Sequence, residues 1–322
     1  MDILFVADPI DTFKTYKDST FAMMREAAGR GHAIYACVPS QMSWIQGGQV
    51  RAQCLKLEMT GRVGTAEQEL HDWYNVLSSQ TMTLSAFDAI VMRKDPPFDS
   101  EYFYATHLLE QAQREGTRVF NQPSALRDHP EKMALMEFPQ YAPPTLISRD
   151  PVQIRGFHAA YNDIILKPLD GMGGAGIFRI REDGMNLGSA IEALNRFGQQ
   201  TIMVQQYQPA IAQGDKRILI IDGEPAPYVL ARIPQGNEVR GNLAAGGRGV
   251  AQPLSDANRA VAKAIGEKLA PRGLLLIGLD MIGDHVTEIN VTSPTCFQEI
   301  EQQTGFNVAG MFVDALEKAV SS

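Results

Sequence analysis

Two strand-like runs enclose a glycine-rich stretch, Asp170-Gly171-Met172-Gly173-Gly174-Ala175-Gly176, and that order constrains the fold more than any other feature of the chain. The run before it is Ile164-Ile165-Leu166-Lys167-Pro168-Leu169, and the run after it is Ile177-Phe178-Arg179-Ile180. Glycines carry no side chain, so backbone N–H groups there can close on phosphate oxygens. A dinucleotide-binding fingerprint needs a helix after the glycines, and a Walker A loop needs a Gly-Lys-Ser/Thr ending. Neither is present. What remains is strand, glycine loop, strand: a flap that covers phosphates or a plain glycine-rich turn, which the local sequence alone weighs evenly. Lys167, three residues before the flap, can place its ammonium on a triphosphate. Lys132 is a candidate of the same kind, although its surroundings alone read as those of an exposed helix lysine.

Upstream, strands and helices alternate. Ile3–Ala7, Ala33–Val38, Ala89–Met92 and Val119-Phe120 read as strands. Thr20 to Arg30 carries Phe21, Met24, Ala27 and Ala28 on one face, with Ser19 as cap and Gly31 as stop; Ser100 caps a second helix reaching Glu115. This alternation predicts a doubly wound parallel sheet covered on both faces. Past about residue 125 the texture becomes α+β. A helix is expected near Glu131–Phe138, then strands at Ile164–Leu169, Gly176–Ile180, Ile202–Tyr207 and Arg217–Ile221. The last turns at Asp222-Gly223 into Pro227–Ile233, a hairpin signal. A helix capped by Ser255 spans Asp256 to Ala270, and Leu274–Ile282 with Val286–Thr292 forms a terminal hairpin. Residues 234–249, rich in Gly, Asn and Arg, read as a long mobile loop. At 322 residues the chain has room for two domains, placed at 1–125 and 126–322.

The terminal hairpin offers Asp280, Glu288 and Asn290, oxygen donors of the kind Mg²⁺ requires. Glu288 and Asn290, two apart on a strand, share a face. A three-residue loop, Gly283-Asp284-His285, would pair Asp280 with Glu288 and bring all three to one face. A two-residue Gly283-Asp284 loop would turn Asp280 away. The three-residue loop is expected. A plain polar outer face then fits poorly, because two carboxylates opposite each other repel unless a cation or proton intervenes. Arg232, Arg240 and Arg248 flank or occupy the long loop, and Arg217 opens a strand. Arg93 follows Ala89–Met92, at the strand end where α/β sheets place ligands. Guanidinium groups bind both oxygens of a carboxylate or phosphate, so together these arginines point to an anionic substrate.

A net charge of −8 argues against general nucleic-acid binding, which depends on Lys and Arg neutralising phosphates. Cys37, Cys54 and Cys296 show no CxxC spacing, so neither a disulfide framework nor a zinc site is expected, and buried structural thiols in a reducing compartment fit. The N-terminus lacks the form of a signal peptide. The longest apolar candidate, Leu274–Ile282, carries Asp280 and is too short to span a bilayer. Cytoplasm is the expected location, without membrane or nucleic-acid partners. The six histidines form no metal spacing, and no Ser-His-Asp or Cys-His grouping is readable. Phosphoryl transfer fits that absence, since it needs positioning and charge neutralisation more than a proton shuttle.

Several strings resemble bacterial glutathione synthetases, members of the ATP-grasp superfamily. They are Lys17-Asp18-Ser19, Met92 to Asp99, Ile165 to Gly174, Ala231 to Gly236, Arg240 to Gly247, and Thr287 to Thr295. The resemblance covers nearly the whole chain. It implies a pre-ATP-grasp α/β domain over 1–125 and a two-lobed ATP-grasp fold over 126–322, with lobes near 130–205 and 206–322. It implies ATP-dependent joining of γ-glutamylcysteine to glycine through an acyl phosphate, giving glutathione, ADP and phosphate, with Mg²⁺ or Mn²⁺, in a homotetramer. Lys132 and Lys167 match ATP-contacting lysines, with Gly171, Gly173 and Gly174 in the flap. Gln206, Tyr207 and Gln208 match the hinge that holds adenine. Arg217, with Lys167, is assigned to the transferring phosphoryl group. Arg93, Arg232, Arg240, Asn242 and Ser293 match substrate positions, and Asp280, Glu288 and Asn290 the metal ligands. Residues 234–249 would close as a lid, because an acyl phosphate exposed to water hydrolyses. Cys296 stands where some relatives carry glycine and is assigned no chemistry.

Rival readings differ at stated places. Another ATP-grasp ligase, such as a D-alanine–D-alanine ligase or a glutamate-adding enzyme, would share the metal hairpin but lack the Arg93 and Arg232–Gly247 strings. A nicotinamide dehydrogenase needs a glycine turn after the first strand, where this chain has Asp8-Pro9-Ile10-Asp11. A non-catalytic ATP-binding module would not need the carboxylate pair and the lysines together.

Overall fold

The N-terminal apolar run forms β1 (Asp2–Val6), buried from Ile3 to Val6, in a computed structural model that describes residues 1–322. Helix α1 (Ser19–Gly29) follows, and Asp18 Oδ1 caps it by accepting from Phe21 N at 2.7 Å. The cap therefore lies one residue before the expected Ser19. A carboxylate both accepts the free N–H and complements the positive helix end. Ser19 Oγ instead accepts from Phe297 N at 3.3 Å. After β2 (Ala33–Cys37) come β3 (Met42–Ser43), β4 (Arg51–Met59), β5 (Tyr74–Thr83) and β6 (Ala89–Met92). Helix α2 (Ser100–Arg114) is capped by Asp99, not Ser100, for the same reason. Then β7 (Val119–Phe120) and α3 (Pro123–Asp128) complete this part. The sheet order is β3-β4-β2-β1-β6-β7, with β5 on β4. Strands β2, β1, β6 and β7 are parallel, the expected doubly wound core. The antiparallel β3–β5 extension goes beyond that expectation. Strand β5 is exposed along both faces, so it carries no alternating signal to read.

The expected helix over Glu131–Phe138 is a 3-10 turn over Met133–Glu137. Pro130 and Pro139 bracket it, and proline disfavours helical geometry in the residue before it. A second lobe consists of β8 (Thr145–Ser148), α4 (Pro151–Tyr161), β9 (Ile164–Pro168), β10 (Phe178–Ile180), α5 (Leu187–Asn195) and β11 (Ile202–Gln206). Its antiparallel sheet runs β10-β9-β11-β8, so the glycine stretch is the connection between two paired strands. This lobe has a small core of its own, including Ile154, Ile164, Leu166 and Ile191.

The third sheet, β14-β13-β12-β15-β16, is antiparallel throughout. Its strands are β12 (Asp215–Ile221), β13 (Glu224–Ile233), β14 (Arg248–Pro253), β15 (Leu276–Ile282) and β16 (His285–Asn290). The Asp222-Gly223 turn has φ of 49° and 79°, the form that suits a two-residue hairpin. The expected 234–249 loop ends at Gly247, because Arg248 onward pairs with β13. Helix α6 (Asp256–Leu269) has the expected Ser255 cap. Helices α7 (Phe297–Thr304) and α8 (Val308–Ser321) return to α1, where Arg30 Nη1 meets Asp314 at 2.6 Å. The two large apolar clusters each take residues from both the N-terminal sheet and the third sheet. Those two sheets form one packed body, with the second lobe set against it.

The β15–β16 turn corrects the sequence reading. Ile282 pairs with His285, so the loop is the two-residue Gly283-Asp284, with Gly283 at φ 60°, as a II′ turn requires. Asp280 nevertheless pairs with Glu288, because the register shifts between Asp280 and Met281 and leaves Thr287 as an extra residue on β16. A bulge of one residue restores the parity that the shorter turn would lose. The expected outcome holds by a different route.

Candidate active site

All the residues singled out from the sequence for ATP, substrate or metal line one cavity of about 460 Å³. It lies where the β9–β10 flap, the β11–β12 hinge, the third sheet and the end of β6 converge. Arg248, at the exposed start of β14, does not line it.

Its floor is a buried charge cluster on β12, β13 and β15. Register places Arg217 opposite Asp280, and Asp215 opposite Arg232. Arg217 Nε and Nη2 reach the two oxygens of Asp280 at 2.6 and 3.1 Å. Arg232 Nη2 lies 2.9 Å from Asp280 Oδ2 and 2.5 Å from Asp215 Oδ2. Burial alone would push the Asp280 carboxyl up, but Arg217 and Arg232 outweigh it and hold that group well below the usual carboxylate range. Asp215 is pushed up to about 6 by burial, against the pull of Arg232. Its Oδ1 is buried without a partner. Asp215 shares a strand face with Arg217, two residues on, so period-2 reading could have found it.

Two lysines stand over this cluster. Lys132 Nζ donates to Glu288 Oε1 at 2.9 Å and to the flap carbonyl of Gly171 at 2.7 Å. Lys167, on β9, donates to the carbonyl of the bulge residue Thr287 at 3.0 Å. Burial lowers the Lys167 ammonium to about 8. The bulge therefore both turns Asp280 toward Glu288 and supplies the acceptor that orients Lys167.

The flap and the long loop meet. Arg240 Nη1 reaches Gly174 O at 3.2 Å, and Glu238 holds Arg240 at 2.5 Å. Gly174 has φ 82°, and a Cβ there would lie 2.7 Å from Asn242 Oδ1. Gly173 faces Ala244. The hinge residues Gln206, Tyr207 and Gln208 line the cavity between the lobes. Tyr207 N donates to Asp163 O at 2.9 Å, and the Arg179 guanidinium stacks 3.5 Å from the Tyr207 ring.

At the other end, Arg93 Nε donates to Thr20 Oγ1 at 3.1 Å and Nη2 to Pro294 O at 3.0 Å; its Nη1 is buried without a partner. Ser293 Oγ donates to Asp95 Oδ1 at 2.5 Å. Glu299, on α7, lines the same cavity, and its Oε2 is also buried without a partner. Burial raises its carboxyl pKa. Sequence reading missed Glu299, since a single glutamate in an amphipathic helix looks like a solvated face. Cys296 is buried at φ 87°, and burial raises its thiol to about 11, so it stays protonated. That positive φ is one a glycine would adopt without strain.

The family model described as the prokaryotic glutathione synthetase N-terminal domain matches residues 1–127, and that of the ATP-grasp domain matches 131–305. The chain belongs to the prokaryotic glutathione synthetase family. A glutathione synthetase of Ralstonia nicotianae is 59% identical over 99% of this chain and 96% of its own length. That of Nitrosomonas europaea is 51% identical over 100% and 99%. In fold the chain is similar to D-cycloserine synthetase (TM-score 0.68, 16% identity, 99% of both chains). It is also similar to the ATP-grasp ligase PsnB bound to a precursor peptide and AMPPNP (TM-score 0.62, 20% identity, 100% and 99%). The fold is ATP-grasp, and the chain is an ATP-dependent ligase of glutathione biosynthesis. No helix is long and apolar enough to cross a membrane.

Proposed function

We propose that the cavity joins the cysteinyl carboxylate of γ-glutamylcysteine to glycine in two steps. A carboxylate oxygen attacks the γ-phosphorus of ATP and ADP leaves. The glycine amine then attacks the acyl carbon, loses a proton, and phosphate leaves. The observation that carries this reading is a single cavity with a phosphate cradle at one end and two unpaired groups of opposite charge, Arg93 Nη1 and Glu299 Oε2, at the other. Such a pair suits a zwitterionic amino-acid head. Arg93 takes the γ-glutamyl α-carboxylate and Glu299 its α-ammonium. Ser293 spends its proton on Asp95, so it offers the substrate a lone pair.

Lys132, Lys167 and the flap N–H groups of Gly171, Gly173 and Gly174 hold the triphosphate, and Gln206–Gln208 hold adenine. Arg217 stabilises the transferring phosphoryl group while anchored by Asp280. Arg232 acts through Asp215 and Asp280, both of which it already grips. Arg240 and Asn242 close the lid onto the flap and exclude water. No three His, Cys, Asp or Glu side chains form a metal cluster. The donor set fits Mg²⁺ or Mn²⁺ through Asn290: its Nδ2 donates to Gly278 O at 3.1 Å, which leaves Oδ1 to join Asp280 and Glu288. When bound there, the ion supplies charge neutralisation on phosphate oxygens.

We assign the N-terminal substrate domain to 1–125 and the ATP-grasp domain to 126–322. A cytoplasmic homotetramer is the proposed assembly. Supporting it, the edge strand β5 carries no charged residue and exposes Val76 and Leu77, features of an edge that another chain covers. Light scattering should give four times the 35.4 kDa chain mass, and a monomer would remove this assignment. The zwitterion seat is tested by Glu299→Gln. The KM for γ-glutamylcysteine should rise about tenfold with ATP affinity unchanged, as loss of one charge-assisted contact implies. An unchanged dipeptide KM would remove Glu299 from the seat.

A further inference from the structure

The loop after β16 carries the substrate end of the cavity, and something must hold it. The last ladder pair is Gly278 with Asn290, so the N–H groups of Val291 and Thr292 lie beyond the sheet. Both are buried, and buried N–H groups need acceptors. Glu131 supplies one. Its Oε1 accepts from Val291 N at 3.0 Å, Thr292 N at 3.1 Å and Thr292 Oγ1 at 2.7 Å. Its carbonyl accepts from Ile289 N at 3.1 Å.

We infer that Glu131 is a positioning residue for the ligation, fixing the Val291–Ser293 segment against β16 so that substrate and phosphate ends of the cavity keep one geometry. The next residue, Lys132, grips Glu288 and the flap carbonyl of Gly171. Two consecutive residues of the inter-lobe segment therefore hold the flap, a metal-facing carboxylate and the substrate loop together. Asp95 holds the same loop from the opposite side, through Ser293. Pro294, one residue further, gives its carbonyl to Arg93. A slackened Val291–Thr292 segment would thus misplace both Ser293 and the guanidinium meant for the dipeptide, while adenine and the hinge lie elsewhere.

The inference rests on the proposed dipeptide seat beside Arg93 and Ser293. Its test is Glu131→Gln, which keeps the shape but weakens three charge-assisted bonds. The KM for γ-glutamylcysteine should rise about tenfold or more, with kcat reduced, since small misplacements carry large kinetic costs. ATP affinity should stay within about threefold, because adenine and the hinge lie elsewhere; a purely structural defect would instead lower the active fraction and leave both KM values alone. If Glu131→Gln does not fold, Thr292→Val removes only the 2.7 Å bond and should shift the same parameter in the same direction. A folded variant with unchanged dipeptide KM, or with ATP affinity lost in the same proportion, overturns the inference. Arg93→Lys separates the two readings. An unchanged dipeptide KM there removes the seat and this inference with it. A raised KM there, beside an unchanged one in Glu131→Gln, removes only the role of Glu131.

Discussion

Asp280 lies between two guanidinium groups and Glu288 beside one ammonium, so the two carboxylates proposed as metal ligands are counter-charged from within the chain. Glu288→Gln keeps the side-chain shape while removing one hard ligand and the partner of Lys132. It should lower kcat by roughly a hundredfold or more, with a melting temperature close to that of the parent; ADP release and thermal unfolding read the two effects separately. Lys167 gives a pH dependence. Its ammonium is lowered to about 8 by burial, so in the ligand-free protein the charge is present below that pH and lost above it. A charged Lys167 favours the triphosphate. ATP affinity should therefore fall as pH rises through about 8, and binding there should take up a proton. Calorimetry from pH 7 to 9, in buffers of different ionisation enthalpy, measures both; an affinity flat across that range contradicts the role given to Lys167. These residues were legible because their types are unusual for their places: a lysine inside an apolar strand, and carboxylates that would face each other. Glu299 and Glu131 were not legible, because only their buried oxygens, one unpaired and one triply bonded, distinguish them from surface glutamates.

The glycine flap and the loop after β13 touch, and their contact requires glycine at one point. Gly174 adopts φ 82° and leaves no room for a Cβ beside Asn242. Gly174→Ala should lower kcat/KM by about tenfold or more while leaving the melting temperature nearly unchanged. The added methyl strains a left-handed residue and pushes the lid away from the flap. Steady-state kinetics with a thermal melt checks this, and an unaffected kcat/KM would show that the two loops need not touch. The strand–glycine–strand order was readable because residue period and glycine spacing are local. The β15–β16 turn was not. Whether Gly283-Asp284 closes alone or with His285 depends on a bulge at Thr287, and the bulge is set by tertiary partners: Lys167 on its carbonyl and Asp280 O accepting from Thr287 Oγ1 at 3.2 Å. Strand β5 was invisible for another reason: an edge strand exposed on both faces has no buried alternation to reveal it.

At the scale of the molecule, the N-terminal sheet and the third sheet share two apolar clusters, while the ATP-side lobe keeps a small one of its own. The substrate end of the cavity thus belongs to the larger body, with Arg93 from the first sheet and Glu299 from α7. The flap belongs to the smaller one. In the proposed mechanism, a triphosphate held by Lys167 and the flap would meet a carboxylate held by the larger body. The measurement that tests this account most directly is ADP release with Mg-ATP, γ-glutamylcysteine and glycine, omitting each in turn, with the peptide product identified. The account predicts turnover and glutathione only when all three are present. Turnover with a different acid–amine pair and none with this one would keep the ATP-grasp chemistry and contradict the substrate seat. ATP binding with no ADP formed under any combination would contradict the ligase mechanism itself.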